Sequence, residues 1–176
     1  MNAIFDSAVK IFRLCSGLVT NDDTDIKFDL LRERALDVLS EFENRAKQHQ
    51  INSEIVIDAK YILVAYVDDV VSGSNWKHQS EWSSCSLQNE FYFEHIAGER
   101  FFELLQKHQN IGKASLPILE LCYVCIQLGF KGKYRYVDTY KLISIQSDLF
   151  IQISSMAGAA NSQHKFINIQ KTKGLS

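Results

Sequence analysis

Proline is nearly absent from this sequence of 176 residues: there is one, Pro117, and only 8 glycines. So few backbone breakers argue against a many-turned β-sandwich and favour long helices. Long apolar runs are missing as well. The longest, residues 62–67 (ILVAYV), falls far short of the ~20 residues that cross a bilayer. The first nineteen residues carry Asp6, Lys10 and Arg13 and do not read as a signal peptide. Nor is there a basic face. Lys and Arg number 19 against 21 acids, for a net charge of -2, and no cluster interleaves cations with aromatics, so nucleic acid is not an expected partner. The 4 cysteines, Cys15, Cys85, Cys122 and Cys125, follow no disulfide framework. They lie in mostly apolar segments, the pattern of reduced core thiols in a reducing compartment.

What remains is a chain with 46% apolar residues, enough to bury a core in one domain or two small helical lobes. Ile4, Phe5, Ala8, Ile11, Phe12, Cys15 and Leu18 recur at helical spacing, predicting a first helix over 3–19. Residues 20–24 (TNDDT) are a turn, and a second helix over 25–48 carries one apolar stripe from Phe28 to Ala46. Asn52 and Ser53 offer a cap for a third helix, 54–71, whose apolar arc is widened by Val64 and Val71 and must be contacted from more than one side. After a polar loop, helices are expected over 83–95 and 97–108, then a loop at 110–115. Pro117 suits the first turn of a helix over 116–128, apolar on nearly all sides and closed by Gly129. A basic turn, 131–135, leads to a last helix over 137–156, and periodicity fades from Ala157 onward, as in a mobile tail. The expected class is all-α.

Few residues suggest chemistry. Cys122 and Cys125 have C-x-x-C spacing, yet a redox pair needs its first thiol exposed at a helix N-terminus, and no second Cys/His pair completes a zinc site. The histidines 49, 78, 95, 108 and 164 form no metal-ligating pair and read as surface residues. No G-x-S-x-G elbow or phosphate loop is present, so no catalytic residue, cofactor or metal is expected.

Asp68 and Asp69 draw more interest. Neighbours on a helix diverge by about 100°, so these carboxylates cannot share one target. Asp69 falls at the flank of the apolar face and Asp68 nearly opposite it. Both sit in the last turn, where the dipole disfavours negative charge. They are either a solvated acidic helix end or carboxylates awaiting a cation, such as Arg100, Arg135 or a basic group on another protein. Trp76 and Trp82, beside Glu81, either anchor their loop to the core or present an interface aromatic.

Four blocks, YILVAYVDDVV (61–71), WKHQSEW (76–82), GERFFELL (98–105) and LELCYVCIQLGFKGKYR (119–135), taken in this order and spacing, resemble the DotU/IcmH/TssL family. With the flanking helices the resemblance covers roughly residues 1–156. It implies an inner-membrane protein of a type VI or type IVB secretion system, with a cytoplasmic domain and one transmembrane helix near the C-terminus. The implied fold is two packed three-helix bundles forming a hook-like single domain with a cleft. The implied partners are an IcmF/TssM-like inner-membrane protein and, in type VI systems, baseplate components, with self-association left open and no catalytic activity. On this basis residues 1–156 are the cytoplasmic domain and 157–176 a flexible tail leading toward a membrane helix that the sequence does not reach. The family's Asp-Glu pair stands here as Asp68–Asp69, one methylene shorter at the second position, and the peptidoglycan-binding extension of some members is absent.

The leading expectation is therefore a scaffold protein, with Asp68, Asp69, Glu81 and Trp82 as partner-binding residues. The rivals are a small helical redox or metal-binding protein using Cys122 and Cys125, and a regulatory bundle built around an apolar ligand pocket.

Overall fold

Asn2 and Asn52 start two of the helices in the same way: their side chains accept the N–H groups of Ile4 and Glu54 at 2.9 and 2.8 Å, satisfying donors that a helix N-terminus leaves open. The computed structural model describes residues 2–20 and 25–158, and every regular element among them is helical. In order these are α1 (Ala3–Val19), α2 (Phe28–Gln48), α3 (Ser53–Ser72), α4 (Gln79–Ser84), α5 (Leu87–Tyr92), α6 (Ala97–Ile111), a 3₁₀ turn (Gly112–Ser115), α7 (Leu116–Gln127), a second 3₁₀ turn (Gly132–Tyr134) and α8 (Thr139–Ala157).

α3 runs through the middle, packing against α1, α2, α4, α5, α6 and α7. Its burial is unbroken from Tyr61 to Asp68, because neighbours close around the whole helix and not around one stripe. α7 is as deeply placed as its composition requires, burying nine of its twelve residues. It ends in a Schellman turn. The Phe130 N–H reaches the Cys125 carbonyl at 2.9 Å and the Gly129 N–H reaches that of Ile126 at 3.2 Å, with Gly129 at φ +114. Phe130 then folds back into the core, its ring 3.9 Å from that of Phe101. Residues 97–134 are apolar enough by composition to pass as a membrane span, but they form α6, the 3₁₀ turn and α7, and over half of their most apolar window is buried inside the protein.

Several expected boundaries move, each for a physical reason. α2 begins at Phe28, not at 25, because the preceding backbone stays extended and the Ile26 carbonyl accepts the Trp76 indole N–H at 2.9 Å. The single helix expected over 83–95 is two short ones. Residues 79–84 are already helical, the chain bends at Cys85, and Ser86 caps a new start by accepting the Asn89 N–H. α6 runs on to Ile111, and a 3₁₀ turn takes the place of the loop expected at 110–115. Residues 21–24 of the expected turn and the expected tail beyond Gly158 lie outside the described residues.

Candidate functional site

Two consecutive carboxylates at the end of α3 organise the segments around it by pointing in different directions. Asp68 turns inward and is 3% exposed. Its Oδ1 accepts the Trp82 indole N–H and the Leu87 backbone N–H, each at 2.9 Å, and its Oδ2 accepts the Gln88 N–H at 2.8 Å. Leu87 and Gln88 are the first two residues of α5, so Asp68 occupies the positive end of that helix from a distance of 19 residues in sequence. The expectation that Asp68 faces away from the core is therefore corrected, since α3 has no outward side at this turn. Burial pushes the Asp68 carboxyl above the ordinary carboxylate range, with the Gln88, Leu87 and Trp82 donors and the charge of Arg32 pulling the other way.

Asp69 turns toward the segment after α7. It accepts the backbone N–H groups of Lys131 at 2.8 Å and Gly132 at 3.2 Å, and it pairs with the Arg135 guanidinium at 2.7 Å. The same guanidinium nitrogen donates to the Asp69 carbonyl at 2.9 Å, placing a cation on the negative end of α3. Of the two cations considered from sequence, Arg135 is thus the partner, and Arg100 pairs instead with Glu94. Gly73 makes room for this. A Cβ there would stand 2.2 Å from the Arg135 guanidinium.

The tryptophans are interior. Trp82 is fully buried, Trp76 nearly so, and both rings pack with Phe28 at the start of α2. Arg32 lies over the Trp82 ring while binding the Cys85 carbonyl and Glu90. Asp68 and Trp82 consequently offer no surface for a partner to touch. Glu81 is exposed and pairs with His78 at 3.0 Å. Of the four residues singled out from sequence, Asp68 and Trp82 meet directly, Asp69 is the neighbour of Asp68 on the opposite contact, and Glu81 stands apart.

Beside Asp69 lies an open groove of about 520 Å³, lined by Ser72, Gln79, Ser83, Lys133, Arg135 and Val137 among others. Its outer lip is apolar and solvent-facing: Tyr136 is 91% exposed and Val137 83%. Periodicity could not find this lip, because neither residue belongs to a helix.

Sequence reasoning also missed a buried polar row. His108, read as a surface histidine, is 1% exposed. It joins Asp58 through Nε2 at 2.7 Å and Ser115 through Nδ1 at 2.7 Å, and Lys107 reaches the same Asp58 oxygen at 2.6 Å. The order Asp–His–Ser invites comparison with a hydrolase, but Ser115 is 1% exposed and substrate cannot reach its hydroxyl. The row ties α3, α6 and the first 3₁₀ turn together. Burial acts to raise the Asp58 carboxyl, but the Lys107 and His108 hydrogen bonds and charges outweigh it and hold it below the ordinary range. A carboxyl lowered by folding contributes stability above its unfolded pKa and loses it as pH falls through the folded one. We expect the urea midpoint of the wild type to fall more steeply below about pH 4 than that of Asp58→Asn. Parallel curves for the two proteins contradict this assignment.

The thiols behave as packing atoms. Cys122 and Cys125 are wholly buried, and burial drives both thiol pKa values far up. Cys15 rises to about 12, through burial and then the nearby charge of Asp68. None is a nucleophile at neutral pH, which removes the chemical basis of the redox reading. Among the described residues no group of three or more His, Cys, Asp or Glu could hold a metal ion. An apolar groove of about 430 Å³ at the far end, between Ile4, Ile55, Leu116 and Pro117, is the feature closest to the ligand pocket of the third reading. Its lining carries one acid, Glu120, already bonded to Asn2 at 2.8 Å.

The family described as "Type VI secretion system protein DotU" matches residues 3–173. Among solved structures, the cytoplasmic domain of TssL from Acinetobacter baumannii aligns with a TM-score of 0.81 at 30% identity, covering 89% of this chain and 99% of that one. TssL from Vibrio cholerae gives 0.77 at 24% identity, over 88% and 97% of the two chains. SciP/TssL from Escherichia coli Enteroaggregative 042 gives 0.73 at 18% identity, over 88% and 90%. The latter two speak to the fold alone. No curated protein matches the sequence.

Proposed function

The chain belongs to the DotU family of type VI secretion system proteins, and from that premise we propose that it is a non-catalytic scaffold at the bacterial inner membrane. In this reading the helical domain faces the cytoplasm and docks cytoplasmic components of the machine, baseplate proteins included, to a membrane complex containing an IcmF/TssM-like protein. The observation that carries the docking role is the groove beside Asp69 with its exposed lip at Tyr136 and Val137. A rigid floor supports it, because the Asp69–Arg135 clamp fixes the 131–135 segment to α3. Exposed aromatics held on such a frame lose little entropy on binding and are frequent hot spots. Asp69 takes part from within the clamp and not as a free charge, while Asp68 and Trp82 set the position of α4, whose Gln79 and Ser83 form the opposite wall.

The test is capture of the purified cytoplasmic segment of an IcmF/TssM-like protein, and separately of a baseplate component, by this chain and by Tyr136→Asp/Val137→Asp. The double variant should keep its circular dichroism and urea midpoint, because both side chains are exposed, and should lose about tenfold or more in affinity for at least one of them. Unchanged affinity for both moves docking elsewhere on the domain.

A further inference from the structure

Charge is distributed unequally in the groove beside Asp69. Its lining contains two cations, Lys133 and Arg135, and one acid, Asp69. That acid is turned into the wall: its Oδ1 accepts the Gly132 N–H, and its Oδ2 is shared by the Lys131 N–H and Arg135. Arg135 spends only Nη2 on these contacts, so the hydrogens of its Nη1 and Nε are bonded to no described residue. Lys133 makes no ion pair with a described residue either. Its Nζ lies 5.5 Å from the centroid of the Phe102 ring and 5.3 Å from that of Tyr134, contacts that hold the ammonium in place. On the opposite wall Ser83 donates to the Gln79 carbonyl at 3.0 Å, while the Gln79 carboxamide bonds to no described residue. Both walls therefore present N–H donors, and the apolar lip of Tyr136 and Val137 stands beside them.

We infer that the groove takes an acidic linear segment of a partner protein, one that carries a carboxylate next to an aromatic or aliphatic side chain. This deepens the docking reading above and rests on it. The carboxylate seats between Lys133, the open edge of the Arg135 guanidinium and the Gln79 amide, where charged donors make the strongest hydrogen bonds. The neighbouring apolar side chain packs on Tyr136 and Val137. A basic segment would meet two cations whose one counter-charge in the lining is already engaged, so the groove selects its occupant by sign. Asp69 fixes Arg135 and the two rings fix Lys133, so little ordering remains for binding to cost. A volume of about 520 Å³ holds a few residues of extended chain, which is a linear motif and not a folded surface.

The probe is a fluorescein-labelled random Glu/Tyr copolymer, with a Lys/Tyr copolymer of the same length as the sign control. Binding to the 176-residue chain is read by fluorescence anisotropy at low salt, where attraction between exposed charges is least screened. The Glu/Tyr copolymer should bind about tenfold or more tightly than Lys/Tyr. Lys133→Glu should weaken it about fivefold or more with the circular dichroism unchanged. Lys47→Glu changes the net charge equally, but it is exposed in the last turn of α2, a helix length from Asp69, and should leave the affinity within about twofold. Equal binding of the two copolymers overturns the inference, and so does an equal loss in the two lysine variants. An oligothymidylate that binds more tightly than Glu/Tyr and is lost with Lys133 also overturns it, since the cations then read polyanions in general. The two readings fail separately. If Lys133→Glu leaves copolymer binding intact while Tyr136→Asp/Val137→Asp still loses capture of a partner, the groove docks and the acidic occupant is wrong. If copolymer binding depends on Lys133 but capture of both segments is indifferent to residues 136 and 137, the acidic occupant stands and those two partners do not use the groove.

Discussion

Asp68→Ala will cost about 3–5 kcal/mol of folding stability, the range for removing one partner of a buried charged network. The loss has three parts, because the carboxylate serves the Trp82 indole and the first two N–H groups of α5. A buried donor left without an acceptor costs about 1–3 kcal/mol, and the Trp82 and Leu87 bonds are buried while the Gln88 bond is partly so. The carboxylate is itself expensive to bury, as its upward-shifted pKa shows, so its net contribution is smaller than the sum of the three bonds. Alanine nevertheless removes all of them at once. Asp68→Asn keeps one acceptor oxygen and should lose about half as much. Urea unfolding followed by Trp fluorescence measures both, since the indole of Trp82 reports on the contact being removed. A loss below about 1 kcal/mol for the alanine variant would mean that α4 and α5 are held by packing alone.

The second large effect is expected at Gly132. Its φ is +51, a conformation that costs an L-residue roughly 1–2 kcal/mol. A Cβ there would also stand 2.7 Å from the Gly98 carbonyl oxygen and 2.8 Å from the Phe130 ring. Neither neighbour can yield cheaply, because one is backbone at the start of α6 and the other is stacked on Phe101. Gly132→Ala should therefore cost about 2–4 kcal/mol in all and loosen the two N–H groups that Asp69 holds. Faster amide exchange at Lys131 and Gly132 accompanies the lower urea midpoint. Gly73→Ala provides the contrast. It meets only the movable end of Arg135, so it should displace the guanidinium from Asp69 at a smaller cost, about 1–2 kcal/mol. Equal losses in the two variants would mean that steric contact with the backbone is not what sets the cost at Gly132.

The elements most legible from sequence are those whose stability is local or whose exposure is uniform. α1 occupies the span its apolar repeat marks, because the stripe from Ile4 to Leu18 and the Asn2 cap are self-contained. α7 reads as core because it is apolar on nearly every side and must be surrounded. The need for a cation near Asp69 was also legible from the helix dipole, and Arg135 was among the residues that could meet it. Other features depend on contacts that periodicity does not record. A helical wheel assigns Asp68 to the outside when it assumes a single buried face, and α3 is buried without a break from Tyr61 to Asp68. The break between α4 and α5 is set by a carboxylate 19 residues upstream. His108 is buried because Asp58, 50 residues away, provides its partner, and nothing in the neighbourhood of residue 108 announces that. The groove was invisible for a related reason: its walls come from three separate stretches of chain. Helix geometry already set the two acids of this turn about 100° apart; which of them is enclosed depends on neighbours that the sequence does not place.

That divergence has a mechanical consequence. The segment that leads into α8 is tied to the central helix by Arg135 and the Lys131 and Gly132 amides, all held by Asp69. One residue earlier, Asp68 grips α4 and α5. One turn of the central helix thus anchors both this segment and the opposite wall of the groove. The width of the groove is therefore set by two adjacent carboxylates on one rigid helix and not by either loop alone.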